Sequence, residues 1–156
     1  MGYVNELLAR LTNKSVRDHT QTNRTLDASP ETFPLNRTFY ADFSHDNEML
    51  TIYSALGLFQ QYLLPDRMLD PMKPSMLRTW IVSLMVPFSG RMVVEKVKCA
   101  KSVSGSDEYV RIFVNDVLQP LEFCRGIGGL CTLEAFVESQ GYARNNGEGD
   151  FGKCYN

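Results

Sequence analysis

Two kinds of apolar spacing alternate along this chain, and together they restrict its fold class. Residues 47–59 carry apolar side chains three or four positions apart, which is the spacing of a helix with one buried face: Met49, Ile52, Tyr53, Leu56 and Phe59. Residues 109–115 alternate instead, with Val110, Ile112 and Val114 on one side, which is typical of a strand. Strands interleaved with helices predict an α/β layered fold.

Other segments extend this pattern. Local spacing predicts two further helices, over 5–11 and over 133–143, the latter with Thr132 as its N-cap. Alternation and aromatic content predict three further strands, over 38–43, 80–86 and 92–99. Asn115-Asp116 predicts a turn into residues 117–121. Polar, Pro-rich or Gly-rich composition predicts irregular structure in four places: 12–35, 66–78, 102–107 and the tail 145–152.

Length and charge exclude several classes of protein. A chain of 156 residues is long enough for one core and too short for two. With a net charge of −2, the chain does not produce the cationic field that nucleic-acid binding needs. No apolar run approaches the roughly 20 residues of a membrane span. Residues 1–10 are amphipathic and contain Glu6, so they do not resemble a secretory signal. The sequence predicts no oligomeric state.

The four cysteines allow a disulfide but no metal site. No C-x-x-C pair is present, and only two histidines are available as further ligands, so we expect no bound metal. Cys124 and Cys131 enclose a short Gly-rich loop, 125–130, of suitable reach for a disulfide worth about 2–3 kcal/mol. Two free thiols in an intracellular protein are the alternative.

Three N-x-[ST] sequons favour a secreted chain. Their asparagines are Asn13, Asn23 and Asn36. A secreted protein needs a signal, and residues 1–10 do not form one. We therefore expect this chain to be the C-terminal part of a longer protein.

The stretch from Phe39 to Asn47 leads from a predicted strand directly into a predicted helix. In open α/β sheets ligands bind beyond the carboxyl ends of strands, and a helix N-terminus offers an anion free N–H donors and a positive dipole end. His45 adds a donor or a cation there, and Asp46 adds a group that can carry a proton. This combination suits an oxyanion whose leaving group must be protonated.

Simpler interpretations exist for each of these residues. On spacing alone, an N-cap is the commoner role for Ser44 or Asp46, and a surface position is the commoner one for His45. Ser44 and His45 do not form a nucleophile–base pair, because chain neighbours at a helix start project apart. Three arginines able to bind phosphate are more typical of surface charges: Arg78, Arg91 and Arg111.

The eight residues from Tyr40 to Asn47, YADFSHDN, reproduce the His-Asp motif of the fungal histidine acid phosphatases of the 3-phytase type. The chain resembles the C-terminal third of that family over nearly its whole length. Other matching segments are Ala55-Leu56-Gly57-Leu58, Gly2–Leu7, Thr32–Asn36, Val86-Pro87-Phe88, Val114-Asn115-Asp116, Pro120-Leu121 and the cysteines.

This resemblance implies a fold and an activity. The fold is an incomplete α/β sandwich of the histidine-phosphatase, phosphoglycerate-mutase-like type, with residues 1–156 as one partial domain. The activity is hydrolysis of phosphomonoesters, phytate (myo-inositol hexakisphosphate) in particular, through a phosphohistidine and without a cofactor. Asp46 is the implied proton donor, His45 is an implied catalytic residue that contacts the phosphate, and Asn47 is an implied substrate-binding residue. A carboxylic acid donates only while protonated, so an acidic working pH is implied.

The resemblance also implies what this chain lacks. The family's nucleophilic histidine lies in an Arg-His-Gly-x-Arg motif, which this sequence does not contain, so the chain is expected to be inactive alone. Full-length members are secreted, and in them Cys99 and Cys154 pair with cysteines upstream of this region; here they have only each other. The competing hypothesis is a secreted glycoprotein module that binds an anion without catalysis.

Overall fold

Helix α1, Gly2–Thr12, and helix α3, Asp46–Leu56, are the two longest helices of the computed structural model, which describes residues 1–20, 22–60, 78–99 and 107–155. The apolar face predicted for α1 is buried, with Val4, Leu7, Leu8 and Leu11 at most 7% exposed. Helix α3 buries Tyr53 and Leu56. It ends before the predicted limit at Phe59, because Gly57 takes a left-handed conformation (φ 80°) that closes the last turn.

An antiparallel sheet of four strands packs with these helices. Strand β1, Met92–Lys98, pairs along its length with β2, Glu108–Val114, from Met92 opposite Val114 to Lys98 opposite Glu108. Two short strands, β3 (Val117–Leu118) and β4 (Cys131–Thr132), also pair with β2. The predicted alternation of β2 is confirmed, since Val110, Ile112 and Val114 are all at most 3% exposed. The sheet thus buries the face that the sequence indicated.

Helix α5, Leu133–Ser139, covers the core beside the sheet. Thr132 is its N-cap as predicted, and its Oγ1 accepts a hydrogen bond from the Ala135 amide at 3.2 Å. Phe136 is fully buried. The helix is shorter than predicted and is followed by the separate turn α6, Gly141–Arg144. The buried side chains of α1, α3, β2 and α5 form one apolar cluster.

Two predicted strands are wrong. Residues 38–43 form no strand, because no neighbouring strand lies beside them among the described residues. Residues 80–86 contain the short helix α4, Val82–Met85, in which only Met85 is buried. A short apolar run fits a helix as well as a strand, and periodicity alone cannot separate them.

The irregular segments contain more structure than predicted. The region 12–35 includes the short helix α2, Arg24–Asp27, whose N-cap Asn23 accepts from the amides of Thr25 and Leu26. The predicted flexible tail contains short 3₁₀ turns within Asn146–Cys154, interrupted by positive φ angles from Gly147 to Gly149, and another 3₁₀ turn spans Glu122–Cys124. The predictions for 66–78 and 102–107 lie almost wholly outside the described residues. None of the described helices has the length and apolar character needed to cross a membrane.

Candidate active site

The His-Asp pair lies at the N-terminus of α3. His45 is the N-cap residue, with extended backbone angles (φ −116°, ψ 163°), and Asp46 is the first helical residue. The His45 side chain is 86% exposed, and Asp46 and Asn47 are exposed as well. The first turn of an 11-residue helix places N–H groups without intrahelical acceptors beside these side chains. The pair is therefore open to solvent at the positive end of a helix.

The expected capping role of Ser44 or Asp46 is wrong. His45 occupies the N-cap position, and no side chain caps the helix there. Ser44 Oγ donates instead to Glu48 Oε2 at 2.7 Å, and Asp46 Oδ1 accepts from the Asn47 amide at 2.8 Å. His45 Nδ1 lies 4.0 Å from the same Glu48 oxygen. The Asp46 carboxylate consequently stays at the surface, in the residue that follows His45.

Arg10, in the last turn of α1, holds the chain that leads into this pair. Its guanidinium donates two hydrogen bonds to the Asp42 carboxylate, at 2.5 and 3.2 Å. Its central carbon also lies 5.0 Å from the ring centres of both Phe33 and Tyr40. The Arg10 side chain is only 15% exposed. Since α3 packs on α1 as well, both ends of the His45 junction are fixed to the same helix.

A cleft of about 310 Å³ lies between the start of α1 and the outer face of α3. Glu6 and Glu48 line it, together with Tyr3 and Thr51, and none of the described residues around it is a lysine or an arginine. Burial, with a smaller contribution from Asp42, raises the pKa of Tyr3 to about 12. Burial and then the charge of Asp27 raise the pKa of Glu6. These carboxyl groups make the cleft unsuited to an anion by itself.

The other predicted site residues belong to segments outside α3. Asn13, Asn23 and Asn36 are all exposed, as acceptors of glycans must be. Cys124 and Cys131 form a disulfide with Cα atoms 6.2 Å apart. Between them, Ile127 and Leu130 form a single β-bridge, so the Gly-rich loop is a closed turn.

The two remaining cysteines are free thiols, and two of the predicted surface arginines form ion pairs. Cys99 is a partly buried free thiol and Cys154 an exposed one, so they do not pair with each other. Arg91 forms an ion pair with Asp116, and Arg111 pairs with Glu95 at 2.5 Å. In the described part of the chain, no three His, Cys, Asp or Glu side chains gather as a metal site would require.

Sequence reasoning missed three residues whose side chains contact the segment around His45: Arg10, Asp42 and Glu48. Arg10 and Asp42 are separated by 32 residues, so no local spacing relates them. Glu48 was detectable, since it is in the first turn of the predicted helix, three residues after His45. The alternation of Tyr40 and Asp42 along a predicted strand was a signal that both face one neighbour.

Comparison with known proteins places these residues in a family. Residues 1–115 match the histidine phosphatase superfamily (branch 2). The chain is 44% identical over 153 residues to Phytase A of Arthroderma benhamiae, which covers 96% of this chain and 33% of that protein. It is 42% identical over 150 residues to Phytase A of Emericella nidulans, with 94% and 31% covered.

A third relative gives the same result. Phytase A of Aspergillus fumigatus is 40% identical over 162 residues, covering 99% of this chain and 32% of the relative. The chain therefore spans about a third of the length of the curated relatives it matches, and the matched region is a C-terminal part of them.

Proposed function

Because the chain belongs to branch 2 of the histidine phosphatase superfamily, we propose that it supplies the proton-donor half of a phosphomonoesterase centre. The observation that carries this proposal is the exposed His45-Asp46 pair at the N-terminus of α3, within a chain related to phytases along nearly all its length. The nucleophilic histidine and its arginines come from the part of such an enzyme that this chain does not span.

Each residue has a defined task in the proposed reaction. A histidine of the other half attacks phosphorus, and the bond from phosphorus to the ester oxygen breaks. Asp46 gives its proton to that departing oxygen, so the product leaves as an alcohol. His45 and Asn47 hold the phosphoryl oxygens. In the second step Asp46 accepts a proton from the water that attacks the phosphohistidine, which releases phosphate and restores the acid.

The charges around the junction support a half site rather than a complete anion site. Asp46 and Glu48 both lie in the first turn of α3, and Arg10 is already paired with Asp42. The negative charge of Glu48 opposes binding of a phosphate anion, so cations from another segment are needed to hold it. The same charges do not favour the alternative of an independent anion-binding module.

The substrate class follows from the relatives. The name of these relatives, Phytase A, points to phytate, and the wider family points to phosphomonoesters. We also propose that the parent protein is secreted and glycosylated, since the three sequon asparagines are exposed and the chain holds a disulfide. No cofactor takes part in the proposed reaction.

The test is phosphate release from phytate at about pH 5 by the purified chain, with full-length Phytase A of Arthroderma benhamiae as the positive control. We expect release at the background rate, because loss of a covalent nucleophile lowers turnover by many orders of magnitude. Turnover comparable with the full-length enzyme would refute the half-site proposal.

A further inference from the structure

Glu48 places a negative charge in a fixed position beside His45. It lies in the first turn of α3, and its Oε2 is 4.0 Å from His45 Nδ1. The same oxygen accepts a hydrogen bond from Ser44 Oγ at 2.7 Å, which holds the carboxylate there. Among the described residues, His45 supplies the only basic nitrogen within 4.0 Å of Glu48, so no lysine or arginine of these ranges neutralises it.

The cleft between α1 and α3 extends this negative charge away from His45. Glu48 lines the cleft from the first turn of α3, and Glu6 lines it from α1. They are the only charged side chains among its described lining residues. An ester that binds at His45 with its alcohol part directed toward α1 therefore meets two carboxyl groups.

The effect of this charge depends on how many phosphates the substrate carries. The energy between two charges is proportional to their product and falls with distance, so each phosphate besides the one being cleaved adds to the repulsion by Glu48. Phytate carries a phosphate on every carbon of its ring. An ester with one phosphate on a neutral alcohol has no further charge to be repelled.

We infer that Glu48 is a specificity-determining residue of the proposed phosphatase centre, and that it selects esters with a single phosphate on a neutral alcohol against polyphosphorylated esters such as phytate. The inference rests on the proposed function, because it concerns the substrate of the same site. It also goes beyond that proposal, since the name of the relatives points to phytate whereas this charge disfavours it.

The experiment titrates the purified full chain with phytate and with 2-glycerophosphate at about pH 7 and low salt, where carboxylates are ionised. The ring-proton NMR resonances of His45 report binding and give both dissociation constants. Glu48→Gln removes the charge and keeps an oxygen that can accept from Ser44. We expect this variant to bind phytate about fivefold or more tightly than the unsubstituted chain, with a change of about twofold or less for 2-glycerophosphate.

Two controls separate the charge of Glu48 from other effects. Glu138→Gln makes the same change of net charge at an exposed position of α5, and it should leave both dissociation constants within about twofold. Glu48→Asp keeps the charge, so it should keep the ratio of the two constants. Salt at about 0.5 M screens exposed charges and should shrink the effect of Glu48→Gln on that ratio, whereas an effect of altered shape would persist.

An unchanged ratio in Glu48→Gln, equal tightening for both esters, or no detectable phytate binding by either chain overturns the inference. The proposed function is tested separately, by phosphate release from a co-expressed pair of this chain and the region of Arthroderma benhamiae Phytase A that precedes the matched part. A pair that releases phosphate with a phytate preference that Glu48→Gln does not change overturns the inference and supports the function. A changed binding ratio without phosphate release supports the selection by Glu48 and refutes the function.

Discussion

Asp18 is a buried carboxylate that organises the loop after α1. It accepts hydrogen bonds from Asn5 Nδ2 at 2.8 Å and from the amides of Thr20 and Thr22 at 2.9 and 3.1 Å. Asn5 also donates to the carbonyl of Ala143 at 3.0 Å, which links this loop to α6. Burial alone raises the pKa of Asp18, but these hydrogen bonds outweigh it and hold that pKa well below its usual range.

The depressed pKa predicts a pH-dependent stability. In the unfolded chain Asp18 titrates near 3.8, so its contribution is complete above that pH and is lost as the pH falls below it. We expect Asp18→Asn to lower the free energy of unfolding by about 1–3 kcal/mol at neutral pH and by much less at about pH 2. Urea unfolding at both pH values measures this. The exposed Glu138→Gln variant is the control, and a deficit of Asp18→Asn that does not change with pH would contradict the account.

Arg10 gives a second prediction for a single residue. Lysine cannot make the two-point contact with Asp42 or stack between Phe33 and Tyr40, so Arg10→Lys should lower the free energy of unfolding by about 1–2 kcal/mol. Chemical denaturation measures the loss, and the exposed Arg24→Lys is the matched control. Equal stability of Arg10→Lys and the unsubstituted chain would show that the contacts of Arg10 with Asp42 and the two rings do not stabilise the fold.

At the residue scale, the site residues that are adjacent in the sequence were predictable, and the contacts between residues far apart in the sequence were not. His45 and Asp46 were predicted at a helix start because the helix signal and the polar pair are adjacent in the chain. The Arg10–Asp42 and Asn5–Asp18 contacts were not, since each joins residues that only the tertiary fold brings together. Local patterns thus located the His45-Asp46 pair but not the tertiary contacts that hold the neighbouring segments in place.

At the scale of elements, pairing decided which predictions succeeded. Strand β2 was predicted well because its alternation is matched by neighbours on both edges, β1 on one side and β3 with β4 on the other. Residues 38–43 have equal alternation but no described neighbour, so they form no strand. A strand depends on its neighbours, whereas the ends of α1 and α3 are set locally by left-handed residues, Asn13 and Gly57.

The hairpin between β2 and β3 offers an element-scale test. Asn115 and Asp116 both have positive φ, 48° and 67°, as a tight hairpin turn requires. Asn115 Nδ2 also donates to the carbonyls of Leu84 and Met85 at 2.9 and 3.0 Å, which ties α4 to the turn. We expect Asn115→Ala to lower the free energy of unfolding by about 2–3 kcal/mol.

A glycine variant separates the two causes of the stability loss in Asn115→Ala, which are strain at positive φ and loss of the side-chain hydrogen bonds. Asn115→Gly keeps the freedom for positive φ but removes the side-chain hydrogen bonds, so it should cost about 1 kcal/mol less than Asn115→Ala. Thermal or urea unfolding of both variants gives the comparison. Identical losses would show that the turn's backbone conformation contributes nothing measurable.

At the scale of the whole molecule, several features have one explanation. Three features support the proposal that the chain supplies part of a phosphatase centre: the exposed His45-Asp46 pair at the start of α3, the exposed Phe39 and Phe43 in the extended segment that leads into it, and a length of about a third of its relatives. The resemblance identified that family from YADFSHDN, and the family match agrees. Sequence patterns could not indicate that residues 38–43 have no neighbouring strand among the described residues, because local alternation is the same whether or not a neighbouring strand is present.

The most direct test of the central claim is phosphate release by the chain paired with the nucleophile-bearing region of Arthroderma benhamiae Phytase A. The parent pair and its Asp46→Asn variant are compared at about pH 5 on two esters, p-nitrophenyl phosphate and 2-glycerophosphate. We predict that the parent pair hydrolyses both and that Asp46→Asn lowers turnover of 2-glycerophosphate by about 100-fold or more, with a much smaller loss on p-nitrophenyl phosphate, whose leaving group needs no proton. Equal losses on the two esters, or no loss on either, would contradict a proton-donating role for Asp46.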